Sequence, residues 1–307
     1  KGRAMDSLRI GLEWFLNPDH VPLLVAKRAG IFAAHDLDVS WIEPAQHMDA
    51  VDEIRAGRMD VAITEPIHLV QDLAKGDELV GFARFLHTNG GVMYLQGGDS
   101  PVKRPADMAG LRVQYPGAPG PGGLAIVRSM IEADGGPKDA PLTPVNSGFH
   151  HTQALLDGHA DVATLVFYNF EILEARAKLA GQDRSPGLFA LKDYGIPDFC
   201  QLILISTAAQ FAAKREVFRR LVKALHAAID FVRQQPEEAR RLWEAESGQD
   251  ASTGLGREIY DATVACLTYD FSMSSDYYAR LASWLHTSGQ TATVTPTAGA
   301  WTNDLAW

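Results

Sequence analysis

Ala56-Gly57-Arg58-Met59-Asp60-Val61-Ala62 and Asp157-Gly158-His159-Ala160-Asp161-Val162-Ala163 share the core Gly-x-x-Asp-Val-Ala, and this core decides the fold. In each copy a helix-length stretch runs into a glycine at the position just past a helix end, where a left-handed turn carries no Cβ penalty. A short apolar strand follows. A second pair of anchors lies upstream, since Leu8-Arg9-Ile10 recurs as Leu111-Arg112-Val113. Leu8 to Leu111 is 103 residues and Gly57 to Gly158 is 101. Two anchors at nearly one offset predict the same α/β unit built twice.

Short β-rich runs alternate with helix-length stretches on either side of these anchors, the pattern of α/β layering. Strands are predicted at Leu8–Trp14, Val39–Ile42, Val61–Ile63, Gly81–Leu86 and Gly91–Gln96, with helices at His20–Ala34, Ala50–Ala56 and Glu65–Lys75 between them. The polar run Gly97-Gly98-Asp99-Ser100-Pro101 reads as the linker to the second unit. Gln201–Ser206 is a late strand. Beyond it the chain turns helical, with an apolar stripe through Val217, Leu221, Leu225, Ala228 and Val232, a further helix opening at Pro236, and two more over Tyr260–Leu267 and Tyr277–Leu285. Thr291–Trp307 reads as loops. The expected division is lobe one from 1–98 and 203–307, with the helical tail, and lobe two from 99–202.

The chain has 307 residues, 46% hydrophobic and 21% charged, the balance of a globular protein rather than a disordered one. Lys plus Arg is 28 against 38 Asp plus Glu, a net charge of −10, with no basic stripe. Such a surface repels phosphate backbones, so nucleic acid is not an expected partner. No apolar run approaches the length of a membrane span. Lys1-Gly2-Arg3-Ala4-Met5 lacks the apolar core of a secretory signal, and composition leaves the compartment open. Cys200 and Cys266 are far apart and outside any CxxC spacing, and no HExxH occurs, so no metal site is expected.

In open α/β sheets ligands bind beyond the carboxyl ends of strands, near helix N-termini. That rule ranks the loops. Glu13-Trp14-Phe15-Leu16-Asn17-Pro18-Asp19-His20 follows the first strand. Trp14 offers a stacking face or a core contact, and Asn17 a ligand contact or a helix cap. Thr64-Glu65-Pro66-Ile67-His68 follows the first Gly-x-x-Asp-Val-Ala strand, where a Glu65 carboxylate can take a ligand amine or complement the helix dipole. Its match in the second half is Phe167-Tyr168-Asn169-Phe170-Glu171, and the same two readings stand for Glu171. The third, Tyr115 to Gly123, includes Gly117 and Gly120, whose backbone N–H groups can approach an anion; its three prolines favour a shaped turn over a phosphate loop. The fourth, Asp193 to Cys200, places Tyr194 and Asp198 before the late strand. Cys200 has no activating neighbour and reads as buried and inert.

Taken together these segments resemble the thiamine-pyrimidine-precursor family. That family includes periplasmic proteins that bind formylaminopyrimidine for ABC importers, riboflavin-binding lipoproteins, and fungal pyrimidine-phosphate synthases. The resemblance covers roughly residues 8 to 245. It rests on W-x-x-N-x-x-H (Trp14, Asn17, His20), V-A-K-R-A-G-I-F (Val25 to Phe32), P-V-N-S-G-F (Pro144 to Phe149), Y-N-F-E (Tyr168 to Glu171) and D-Y-G-I-P-D-F (Asp193 to Phe199). It implies a bilobal type II periplasmic-binding-protein fold with a helical C-terminal region. It also implies a monomeric, extracytoplasmic solute-binding protein that closes on a small heteroaromatic ligand and delivers it to an ABC permease.

On the family's pattern Trp14, Asn17 and Trp41 recognise the ligand from lobe one, and Tyr168, Asn169 and Glu171 from lobe two. A flavin, an aromatic acid or a sulfonate is the alternative ligand. The synthase branch resembles enzymes that hold pyridoxal phosphate on a lysine, consume a histidine and carry a cysteine-rich iron-binding segment. Here His68 stands at the histidine position, but Thr64 stands at the lysine position, and the Gly195–Cys200 segment keeps one cysteine. No enzymatic activity, catalytic residue or cofactor is therefore expected.

Overall fold

The computed structural model describes residues 2–44, 49–115, 122–148 and 150–307. Ten strands run through it: β1 Asp6–Gly11, β2 Leu37–Ile42, β3 Val61–Thr64, β4 Leu79–His87, β5 Gly90–Gly97, β6 Arg112–Tyr115, β7 Thr143–Asn146, β8 Val162–Phe167, β9 Arg184–Ala190 and β10 Gln201–Thr207. They form two five-stranded sheets, ordered β2-β1-β3-β10-β4 and β7-β6-β8-β5-β9. The two orders are one pattern. In each, a central strand is parallel to two neighbours (β1 to β2 and β3; β6 to β7 and β8), and a strand entering after the chain has built part of the other unit pairs antiparallel beyond them.

The sequence repeat is the joint of each sheet. Ile10 lies opposite Val61 and Val113 opposite Val162. Asp60 accepts the Arg9 backbone N–H at 2.8 Å and its guanidinium at 3.2 Å, while the Asp60 N–H returns a bond to the Arg9 carbonyl at 2.8 Å. Asp161 repeats this with Arg112, at 2.8 Å and 3.2 Å, and a return bond of 2.9 Å. The shared Asp and Arg therefore tie the start of the third strand of each unit to the first. Among the described residues Asp60 has a second cation, Lys214 Nζ at 2.7 Å, where Asp161 has Arg112. Burial alone would raise the Asp60 pKa, but the bonds from Lys214 and Arg9 outweigh it and hold the carboxyl below the ordinary aspartate value.

The chain divides into two compact units, Lys1–His87 with Gln201–Tyr278 and Pro296–Trp307, and Thr88–Cys200 with Ala279–Thr295. Two expectations change. The run at 91–96, read as closing the first unit, is β5, which pairs with β8 and β9 in the second sheet. The crossing therefore falls at Thr88, and the Gly97–Pro101 stretch is a turn inside the second unit. The tail also does not belong wholly to the first unit, because Trp284 donates to Ser129 at 3.3 Å and packs near Phe199.

Local breaks have local causes. The helix expected over 20–34 stops at Arg28 and restarts at Ile31, because Gly30 sits at φ +74°. The predicted apolar stripe lies on the second of two consecutive helices, Ala208–Ala213 and Arg215–Gln234. The second of these lays its apolar stripe on the first sheet, with Phe218 stacked on Phe82 at 5.1 Å. Helices Pro236–Ser247, Gly254–Val264 and Ser275–Thr287 complete the helical C-terminal region. No helix among the described residues is long and apolar enough to cross a membrane.

Candidate functional site

In the first unit, β1 ends at Gly11, earlier than the expected Trp14, and the chain bends through 13–16 into a short 3-10 turn, Pro18–His20. This loop is held by side chains. The Asn17 Oδ1 accepts the Asp19 N–H at 2.9 Å and its Nδ2 donates to the Phe15 carbonyl at 2.8 Å. Asn17 is 2% exposed, so its amide is used in shaping the turn, the capping role open in the sequence. His20 is fully buried. Its Nδ1 accepts the Asn17 N–H at 3.2 Å, which puts the ring proton on Nε2, facing the Glu13 carboxylate oxygens at 3.0 and 3.1 Å. Trp14 is 9% exposed, its ring tilted on Phe15 at 4.3 Å.

The neighbouring strand end carries the second segment. β3 lies beside β1, so Thr64–His68 emerges at the same sheet edge as the Glu13–His20 loop. Glu65 is the residue that starts helix Pro66–Ala74, and Thr64 Oγ1 lies 3.3 Å from His68 Nδ1. Glu65 and His68 are both half-buried. Trp41 is placed differently. It is partly buried against the main apolar cluster, with the Lys27 ammonium 4.9 Å from its ring centroid.

In the second unit β8 ends at Phe167, after Leu165 at φ +56°, a backbone conformation unusual for a branched side chain. The turn that follows is pinned at three points. The Tyr168 N–H donates to the Asn89 carbonyl at 2.9 Å, the Thr88 hydroxyl donates to Asn169 Oδ1 at 2.9 Å, and the Phe167 N–H donates to Glu171 Oε2 at 2.8 Å. Asn169 and Glu171 are each 2% exposed, whereas Tyr168 is 53% exposed. An exposed aromatic face beside a buried amide and a buried carboxylate can stack on a flat ring and hydrogen-bond its polar edge.

Thr88 and Asn89, which the sequence reading did not single out, hold this turn through the Thr88 hydroxyl and the Asn89 carbonyl. Tyr194 ends a 3-10 turn, half-buried, 6.0 Å edge-on from Phe189, and burial raises its phenol pKa. Asp198 Oδ1 accepts the Cys200 N–H at 3.2 Å. Cys200 is 1% exposed, its sulfur so close to Gly90 that a Cβ there would lie 2.3 Å from it. Gly117 and Gly120 lie outside the described residues. Among the described residues no group of three His, Cys, Asp or Glu side chains is placed to hold a metal ion.

This architecture has known counterparts. The alkanesulfonate-binding protein SsuA of Xanthomonas axonopodis pv. citri, solved with MOPS bound, superposes with a TM-score of 0.71 at 14% identity, covering 98% of this chain and 100% of its own. At that identity the likeness shows the fold, the bilobal periplasmic-binding-protein fold. In sequence the chain is 29% identical over 267 residues to a formylaminopyrimidine-binding protein of Halalkalibacterium halodurans, covering 86% of this chain and 77% of the relative. It is 24% identical over 288 residues to a 4-amino-5-hydroxymethyl-2-methylpyrimidine phosphate synthase of Aspergillus parasiticus, covering 92% and 82%. The family described as NMT1/THI5 like matches residues 17–239, most of the chain, and the protein therefore belongs to the NMT1/THI5-like family.

Proposed function

We propose that the protein is a solute-binding protein for an aminopyrimidine precursor of thiamine, working outside the cytoplasm with an ABC-type permease. The family contains both binding proteins and synthases, so the reading must choose between them. The observation that carries the choice is Thr64. A synthase of this family is expected to hold pyridoxal phosphate on a lysine at that position; here a hydroxyl, 8% exposed and 3.3 Å from His68, stands there instead. A hydroxyl forms no Schiff base, so the residues present do not fit that cofactor.

The formylaminopyrimidine-binding relative supports the choice of ligand. In this reading Tyr168 supplies a ring face, and Glu171, with Asn169, addresses the polar edge of the pyrimidine. In the first unit Trp14 and Glu65, with His68 beside Glu65, are assigned to ligand recognition on the family pattern. Gly117, Gly120, Tyr194 and Asp198 are assigned to the ligand's surroundings on the family pattern alone.

Thermal unfolding with formylaminopyrimidine, hydroxymethylpyrimidine, thiamine, riboflavin, pyridoxal phosphate and an alkanesulfonate tests the assignment. A ligand at about 100 times its Kd stabilises the folded state by about 2.7 kcal/mol, about 4–8 °C in midpoint for a chain of this size. A shift with the pyrimidines alone is expected. A shift with riboflavin or the sulfonate and none with a pyrimidine would reject the ligand. A new absorbance band from a lysine adduct on adding pyridoxal phosphate would reopen the synthase reading.

A further inference from the structure

The Glu13–His20 loop has an irregular backbone, yet one residue, Leu16, is held through both its N–H and its carbonyl by remote parts of the chain. The Leu16 N–H donates to the Glu43 carboxylate at 2.7 Å, and the Leu16 carbonyl accepts the Gln249 side-chain N–H at 2.8 Å. Glu43 is 27 residues away in sequence and Gln249 is 233. Gln249 is itself fixed. Gly248, at φ +70°, ends helix Pro236–Ser247 in a left-handed cap, and the Gln249 N–H donates to Ser247 Oγ at 3.1 Å. The next residue, Asp250, accepts the N–H groups of Ser252 and Thr253 at 2.8 and 3.3 Å.

The helix that delivers Gln249 is docked on the helix that follows the loop. Glu246 takes Lys27 Nζ at 2.6 Å and Arg28 Nε at 2.7 Å, and Arg28 also donates to the Ala245 carbonyl at 3.3 Å. Helix Gly254–Val264, on the far side of Gln249, packs on the Pro18–His20 turn. The helical tail thus holds the loop from both sides of Gln249. From this tail the Gln249 amide reaches the Leu16 carbonyl at 2.8 Å.

We propose that Gln249 is a positioning residue for ligand binding. It fixes the Leu16–Asn17 peptide while Glu43 holds the Phe15–Leu16 peptide, and so sets the backbone that presents Trp14 and Phe15. The consequence for affinity rests on the pyrimidine-binding reading above; the control of the loop does not.

The test compares Gln249→Ala and Gln249→Glu with Arg28→Ala, which loosens the same helix without touching the loop. Amide hydrogen exchange is read in the ligand-free protein, and the Kd for hydroxymethylpyrimidine by calorimetry. Both Gln249 variants are expected to speed exchange at residues 14–17 about tenfold and raise Kd about five- to tenfold, the size of one lost hydrogen bond. Gln249→Glu matches the shape but offers no donor to the Leu16 carbonyl, so it should behave like alanine. Arg28→Ala should lower the melting temperature and leave both readouts near wild type. Unchanged exchange in Gln249→Ala, or equal effects in Arg28→Ala, would overturn the proposal. If the wild type binds no pyrimidine, the functional reading falls while exchange still decides the loop.

Discussion

Replacing Asp60 with alanine is expected to destabilise the first unit by about 3 kcal/mol, whereas the same change at Asp161 should cost about half as much. The repeat makes the two sites internal controls. Both carboxylates accept a backbone N–H and a guanidinium, but the Asp60 side chain is 5% exposed and also holds Lys214, while that of Asp161 is 23% exposed and holds Arg112. Removing Asp60 leaves the Arg9 N–H and a half-exposed ammonium without their acceptor.

Urea unfolding of the two variants measures the difference, and equal losses would show that the extra cation and deeper burial are without effect. The pH dependence follows in sign. The folded pKa of Asp60 lies below the unfolded value of about 3.9, so its contribution is present above that value and is lost as pH falls through the folded pKa. Asp60→Ala should therefore unfold with a flatter acid limb than wild type.

Glu171→Gln is expected to weaken aminopyrimidine binding by more than about tenfold, 1.4 kcal/mol or more, with little change in melting temperature. The fold should tolerate the change, because a glutamine carbonyl can still accept the Phe167 N–H that Glu171 Oε2 accepts at 2.8 Å. What is lost is the charge. A carboxylate 2% exposed has few water competitors, and a ligand amine that pairs with it gains more there than at the surface. Calorimetry with hydroxymethylpyrimidine reads the change. An unaltered Kd would remove Glu171 from the site and leave it as the tie of its own helix.

The repeated Gly-x-x-Asp-Val-Ala made the two-sheet plan legible, because short buried strands and the helix ends before them are written in local residues. The first crossing point was not legible. β4 and β5 are both apolar and separated by only Thr88 and Asn89, so periodicity gives no sign that one pairs in the first sheet and the other in the second. The candidate segments were picked out by the strand-end rule, but the behaviour of their side chains was not. Asn17 faces its own turn because Phe15 and Asp19 lie within reach of its amide, and Trp41 packs beneath Lys27 on the helix-covered side. Glu43 and Gln249 were invisible for a simpler reason: nothing local marks a side chain that serves a peptide group 27 or 233 residues away.

Isothermal titration of the wild-type protein with formylaminopyrimidine, and separately with an alkanesulfonate such as MOPS, decides which ligand the protein takes. One-to-one binding of the pyrimidine, undisturbed by excess sulfonate, is expected. Binding of the sulfonate with no heat from the pyrimidine would contradict it, leaving the fold in place and the ligand assignment wrong.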